Sequence, residues 1–192
     1  ALLLYGITLY PGVGGAVSVG DAAKFQYMAD ALGVPHSPGY PLYMMLSWMW
    51  VKAVAFLSPA MAMNLFSSFW MGCALAAMRR GMRALDIGRG AALLTLLVTA
   101  TGHIVWLRAT EAGPTTFGIF LASMTVWCML EWHRRDAAWL LGVSLCLGGV
   151  AAGHETVLLW ALPVYVFWSA MVRPRAWGAW QTWGGLIGGL IL

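Results

Sequence analysis

Asp21, Lys24 and His36 stand within one polar stretch, Gly20–Tyr43, reading GDAAKFQYMADALGVPHSPGYPLY, in a chain that is otherwise mostly hydrocarbon. A segment of that kind beside a bilayer is where chemistry is expected first. A carboxylate at Asp21 can act as general base or orient an acceptor hydroxyl. Lys24 can meet an anionic lipid head group. His36 lies between prolines, Pro35 and Pro38, which fix its backbone and so its ring. Each residue also has an ordinary structural use. Asp21 can cap a helix beginning at Ala22, Lys24 can pair with the carboxylate three residues earlier, and His36 can fill a turn.

Further along, Glu111 follows Arg108 by three residues at the end of an apolar run. The pair reads either as a snorkelling ion pair or as a second acid with an arginine for a lipid phosphate. His154 and Glu155 fall in a very short break between two apolar runs, as a polar hairpin or as substrate contacts. His103 and Asn64 lie inside apolar runs, where hydrogen bonding to a neighbouring helix is the expected role. No tight ligand spacing assigns a metal to His36, His154 and the acids.

These residues need elements to hold them. The chain is 61% hydrophobic and 9% charged, with mean hydropathy +0.76. Such a composition excludes an ordinary soluble domain and predicts an all-α polytopic membrane protein. Its apolar runs are continuous rather than alternating, unlike a barrel. They lie near 1–11, 60–78, 90–107, 115–131, 137–152, 156–172 and 176–192, giving a bundle of about seven spans. Ala1 is not a start methionine and Leu192 closes an apolar run, so the chain is expected to be a piece of a longer protein, 1–192 forming one transmembrane domain. Cys73, Cys128 and Cys146 all sit in apolar runs and are expected to be buried thiols.

The net charge of +4 does not suggest nucleic acid, because the basic residues mark topology instead. Arg79, Arg80, Arg83 and Arg89 form one cluster, Arg134 and Arg135 a second, Arg173 and Arg175 a third, together eight of the eleven basic residues. Placed on the cytoplasmic side, they put the breaks near 108–114 and 153–155 outside. The run 43–57 is short, carries Lys52 and contains Tyr43, Trp48 and Trp50, with Tyr40 just ahead of it, aromatics that favour the interface; if it spanned instead, Asp21 and His36 would fall on the opposite side from Glu111 and His154. Read as an interfacial helix within an outer loop spanning 12–59, it puts Asp21, His36, Glu111 and His154 on one face.

The stretch from Gly20 to Tyr43 resembles the first outer loop of the DUF2723 membrane proteins, relatives of the protein O-mannosyltransferases and other glycosyltransferases of the GT-C fold. That loop runs Gly-Asp-x-x-Glu, then Leu-Gly-x-x-His-Pro-Pro-Gly-Tyr-Pro-Leu-Tyr. Gly20, Asp21, Leu32, Gly33, His36, Pro38, Gly39, Tyr40, Pro41, Leu42 and Tyr43 match it. Asn64-Leu65-Phe66-Ser67, Trp106 with Glu111, and His154-Glu155-Thr156 resemble later markers in the same order. Lys24 stands where the family has an acid, and Ser37 where it usually has proline.

The resemblance implies a GT-C-like helical bundle with outer-face juxtamembrane helices. It implies transfer of a sugar from a polyprenyl-phosphate carrier to an outer-face acceptor, with Asp21 and Glu111 as the catalytic acids. Lys24, His36, Tyr40, Arg108 and His154 become the expected substrate contacts. The expected partners are membrane lipids and the lipid-linked sugar, and the expected location is a bacterial inner membrane with the active loop facing the periplasm; a divalent-metal requirement is left open. The alternative is a catalytically degenerate relative serving as a structural subunit of a larger membrane complex, the reading that Lys24 favours.

Overall fold

A computed structural model describes residues 1–16, 19–37 and 39–191. The matched Pro38 lies outside the described residues, which contain helices and no strand. In chain order the helices are α1 (Leu2–Ile7), α2 (Val19–Ala31), α3 (Pro41–Ala53), α4 (Pro59–Ala84), α5 (Arg89–Thr101), α6 (His103–Thr110), α7 (Thr115–Arg135), α8 (Ala138–His154), α9 (Thr156–Leu159), α10 (Ala161–Val172) and α11 (Trp180–Ile191), with a 3-10 turn at Pro174–Gly178. Among the described residues, α4 alone is long and apolar enough to cross a membrane; α5 and α6 meet that test together but are bent by 64°.

The apolar runs locate these helices well and their breaks poorly. The run 90–107 divides at Gly102, which becomes the cap of α6. His103 is therefore an exposed first residue of α6 rather than the expected core histidine. The run 156–172 divides at Trp160. Cys128 is buried as expected, while Cys73 and Cys146 are half-buried.

Two compact units divide the chain. The first comprises 1–73 with 94–117, the second 74–93 with 118–192.

In the first unit, α2 occupies sequence that reads as loop with a short helical start. Its buried stripe is Ala22, Phe25, Gln26 and Ala29, a spacing of three and four that places all four on one face. Leu32 (φ 52) and the Gly33 N–H donating to the Met28 carbonyl (2.8 Å) close the helix, the usual left-handed C-terminal cap. Pro41 opens α3 at its first turn, where a missing N–H costs nothing. On α3, Tyr43, Met44, Ser47 and Val51 face inward, while Met45, Trp48 and Met49 are exposed. Tyr43 packs among Phe25, Phe66 and Phe117 with ring centroids 5.6–6.1 Å apart, contacts worth roughly 0.5–1.5 kcal/mol each beyond simple burial.

In the second unit, glycine sets how closely α8 and α11 approach. A Cβ on Gly142 would strike the Gln181 carbonyl, and one on Gly185 would strike the Gly142 backbone. Gly149 and Gly189 repeat the arrangement one level along, the small-residue packing that serves helices in lipid. Beside them Trp132, Leu141 and Leu145 are fully buried in a core with Met129 and Leu140.

Candidate active site

Asn64, Ser67 and Ser68 form one polar stripe on α4, at spacings of three and one. Asn64 Nδ2 donates to the Tyr10 carbonyl (2.9 Å), and its Oδ1 accepts from Gln26 Nε2 (3.0 Å). Gln26 also donates to the Gly14 carbonyl (3.2 Å) and accepts from the Gly14 N–H (2.8 Å). Ser68 Oγ donates to the Ala109 carbonyl at 2.6 Å, and the Gly113 N–H donates to Ser67 Oγ at 3.3 Å. The Tyr10 N–H donates to the Thr110 carbonyl at 3.0 Å. The stripe therefore fastens the irregular segment 10–14 and the end of α6 with the chain that leaves it, 109–113, giving partners to their backbone groups. Asn64 bonds across to other elements, as expected of it.

The second segment carries Glu111. Its side chain is 3% exposed, and Arg108 Nη1 lies 3.4 Å from its Oε1. A Cβ on Gly15 would run into the Glu111 carboxylate and would lie 3.1 Å from Ala22 Cβ. Gly15 thus lets the backbone press against the acid and against the first turns of α2. Asp21 is in that helix's first turn, not ahead of it as a cap, since α2 begins at Val19. There its charge favours the positive end of the helix dipole. It pairs with Lys24 at 3.4 Å, both side chains more than half exposed.

His36 and Tyr40 join the same unit through rings. Phe25, His36 and Tyr40 meet edge-on in a triangle with centroids 5.6–5.7 Å apart. His36 Nδ1 donates to the Ser37 carbonyl at 2.8 Å. Tyr40 holds a left-handed backbone (φ 50, ψ 52) as the residue capping α3, a conformation costing about 1 kcal/mol in a side-chain-bearing residue. Below them Tyr43 Oη donates to the Gly113 carbonyl at 3.0 Å. Burial pushes its hydroxyl well above the usual tyrosine range, and hydrogen bonds with Ser67 and Gly113 only partly oppose that.

Six of the seven expected site residues, Asp21, Lys24, His36, Tyr40, Arg108 and Glu111, therefore belong to the first unit. His154 belongs to the second. It is the buried last residue of α8, with Glu155 as a one-residue extended break before α9, rather than part of a polar hairpin. A Cβ on Gly118 would meet both side chains, 2.9 Å from Glu155 Cγ and 3.3 Å from His154 Cδ2. Among the described residues no three of His, Cys, Asp or Glu cluster closely enough to hold a metal ion.

Gly15, Gln26 and Ser68 were not evident as site residues from sequence. Gln26 had a usable signal, a polar residue in the 22-25-26-29 stripe, whereas Gly15 and Ser68 matter only through long-range contacts.

The chain matches the family described as Protein O-mannosyl-transferase TMEM260 N-terminal domain over residues 21–177. It belongs to that family. The match begins at Asp21 and takes in every expected site residue. Relation to the O-mannosyltransferases, implied by the loop resemblance, holds at this level. No curated protein and no solved structure matches the chain.

Proposed function

We propose that this TMEM260 N-terminal domain relative is the membrane module of a GT-C-type glycosyltransferase, transferring a mannosyl unit from a polyprenyl phosphate to an acceptor hydroxyl. The DUF2723 resemblance belongs to the same reading. The observation carrying it is a buried acid, Glu111, pressed against Gly15, the residue that also packs against Ala22 of α2, the helix whose first turn carries the exposed acid Asp21. The exposed apolar face of α3 and the apolar helices support a multi-span bundle with α3 on the interface. The arginine clusters support placing the loop outside, on the periplasmic face of a bacterial inner membrane.

In this reading the acceptor oxygen forms a bond to the anomeric carbon as the carbon–oxygen bond to phosphate breaks. The electron pair leaves with the polyprenyl phosphate, and the acceptor proton passes to Asp21. A phosphate is already a stable anion on departure, so a strong acid is not needed; a cation near it suffices. Lys24 is suited to that task because its exposed pair with Asp21 is worth at most about 1 kcal/mol. Moving to the donor phosphate, it frees the Asp21 carboxylate to act as base. Arg108 is the second cation, with Glu111 fixing its direction. The His36 and Tyr40 rings offer an aromatic wall for a sugar face, and His154 is a further proposed substrate contact.

The test is transfer by the full protein in right-side-out vesicles, with acceptor supplied outside. Asp21→Asn should lower turnover about a thousandfold with expression and insertion unchanged. Retained turnover would remove Asp21 from the mechanism. A second reading, a structural subunit of a larger membrane complex, draws on the Asp21–Lys24 pair, which occupies the supposed base. It predicts no transfer by the wild type and stoichiometric copurification with other membrane proteins.

A further inference from the structure

The second unit contains a cavity of about 510 Å³ at the turn between α4 and α5 and along the last turns of α7, a volume within the roughly 300–1,000 Å³ of ligand pockets. Five arginines line it against two carboxylates, Asp86 and Glu131. Glu131 is occupied by two of the five, Arg134 at 3.6 Å and Arg135 at 2.7 Å. The other three, Arg80, Arg83 and Arg89, make no ion pair among the described residues. Arg80 is oriented instead by Trp127, its guanidinium carbon 5.1 Å from the ring centroid.

Helix dipoles and membrane topology explain only some of this charge. Arginines in a last turn are favoured by the negative end of the helix, which covers Arg83, Arg134 and Arg135. Arg89 is the first residue of α5, where the positive end of the dipole disfavours a cation. Topology requires arginines on one side of the membrane but not three unpaired ones lining a single cavity with a fourth lining group, Trp127, holding one of them in place. Repulsion among them is relieved if an anion with several acceptor oxygens occupies the space, and planar guanidinium forks suit phosphate oxygens in particular.

We infer that this cavity is a phosphate-binding site formed by Arg80, Arg83 and Arg89. The phosphate is carried by an anionic lipid head group or supplied as a free ion, and the site is separate from the proposed transfer chemistry. Trp127, aromatic and half-buried, would lie at the height of the head groups when the ligand is a lipid.

The full-length protein, purified and delipidated in detergent, is titrated with phosphatidylglycerol, phosphatidylcholine and inorganic phosphate. Binding is read by native mass spectrometry for the lipids and by calorimetry for phosphate. Two variants of equal charge change are compared: Arg83→Gln with Arg89→Gln inside the cavity, and Arg79→Gln with Arg175→Gln outside it. Phosphatidylglycerol should bind in preference to phosphatidylcholine, and the cavity variant should weaken it about tenfold or more while the outside variant does not. Inorganic phosphate binding with that same dependence, without phosphatidylglycerol, identifies the free ion as the source. Equal binding of the two lipids together with no variant-sensitive phosphate binding, or equal loss in both variants, overturns the site. If the cavity double variant does not fold, Arg89→Gln alone, at an exposed position, carries the comparison.

Discussion

Asp21 at the start of α2 and Glu111 at the end of α6 each face a cation three residues away at 3.4 Å, yet their surroundings differ. Asp21 and Lys24 are 55% and 53% exposed, whereas Glu111 is 3% exposed beside an Arg108 at 34%. In water the first pair is screened and its members are free to change partners. Away from water the second cannot dissolve without leaving a charge behind. Identical spacing therefore yields a replaceable partner in one region and a fixed one in the other, the difference on which the proposed roles of a reacting Asp21 and a positioning Glu111 rest.

The sharpest way to break this contrast is at Glu111. Glu111→Ala should destabilise the protein by about 3 kcal/mol, the low end for a broken buried pair because Arg108 can reach solvent. Thermal unfolding in detergent reads the change; a shift no larger than that of Asp21→Ala would mean the two pairs are energetically alike. Gly15→Ala probes the same carboxylate from outside. Its new methyl would displace Glu111 while the 3.1 Å approach to Ala22 gives no room to retreat, for an expected cost of about 2 kcal/mol. Unchanged stability and turnover would show that Glu111 moves freely and holds nothing in register.

A smaller effect is expected at the floor of the ring cluster. Tyr43→Phe removes the hydrogen bond to Gly113 and should cost about 1 kcal/mol. The pH dependence has a definite sign. The folded state holds the Tyr43 proton more tightly than the unfolded chain, whose value is 10.0, so this contribution is complete below that pH and is lost as pH rises beyond it. Unfolding midpoints measured on both sides of that pH should fall with pH in the wild type, and Tyr43→Phe should lack this part of the decline.

The sequence exposes the parts of this arrangement that depend on neighbours along the chain. The apolar runs mark α4, α7 and α8, the run 43–57 marks α3 although the helix begins earlier, at Pro41, and the three-residue spacings mark both ion pairs. What it conceals depends on distant contacts. The Asn64 and Ser67 marker reads as a span feature, but its work is to bond backbone at 10 and 113, 54 and 46 residues away. The burial that distinguishes Glu111 from Asp21 involves Gly15, 96 residues earlier, pressed against its carboxylate, which no local pattern encodes. The break at Gly102 is equally hidden, because glycine inside an apolar run reads as a tolerated small residue until the chain turns there.

Lys24 offers the finest test of the contrast, because its substitution should barely register in stability. Lys24→Ala removes an exposed pair and should move the unfolding midpoint by no more than about 0.5 kcal/mol equivalent. Its kinetic consequence is what divides the readings. If Lys24 leaves Asp21 for the donor phosphate, the alanine variant loses donor affinity and turnover together, while Lys24→Arg retains most of both. If Lys24 merely neutralises a surface acid, both variants transfer at the wild-type rate. Lys24→Glu goes further, placing beside Asp21 the acid that the resembling loop carries. Faster transfer in that variant would mean that the lysine restrains an otherwise competent carboxylate, and slower transfer that this chain has rebuilt its loop around a cation.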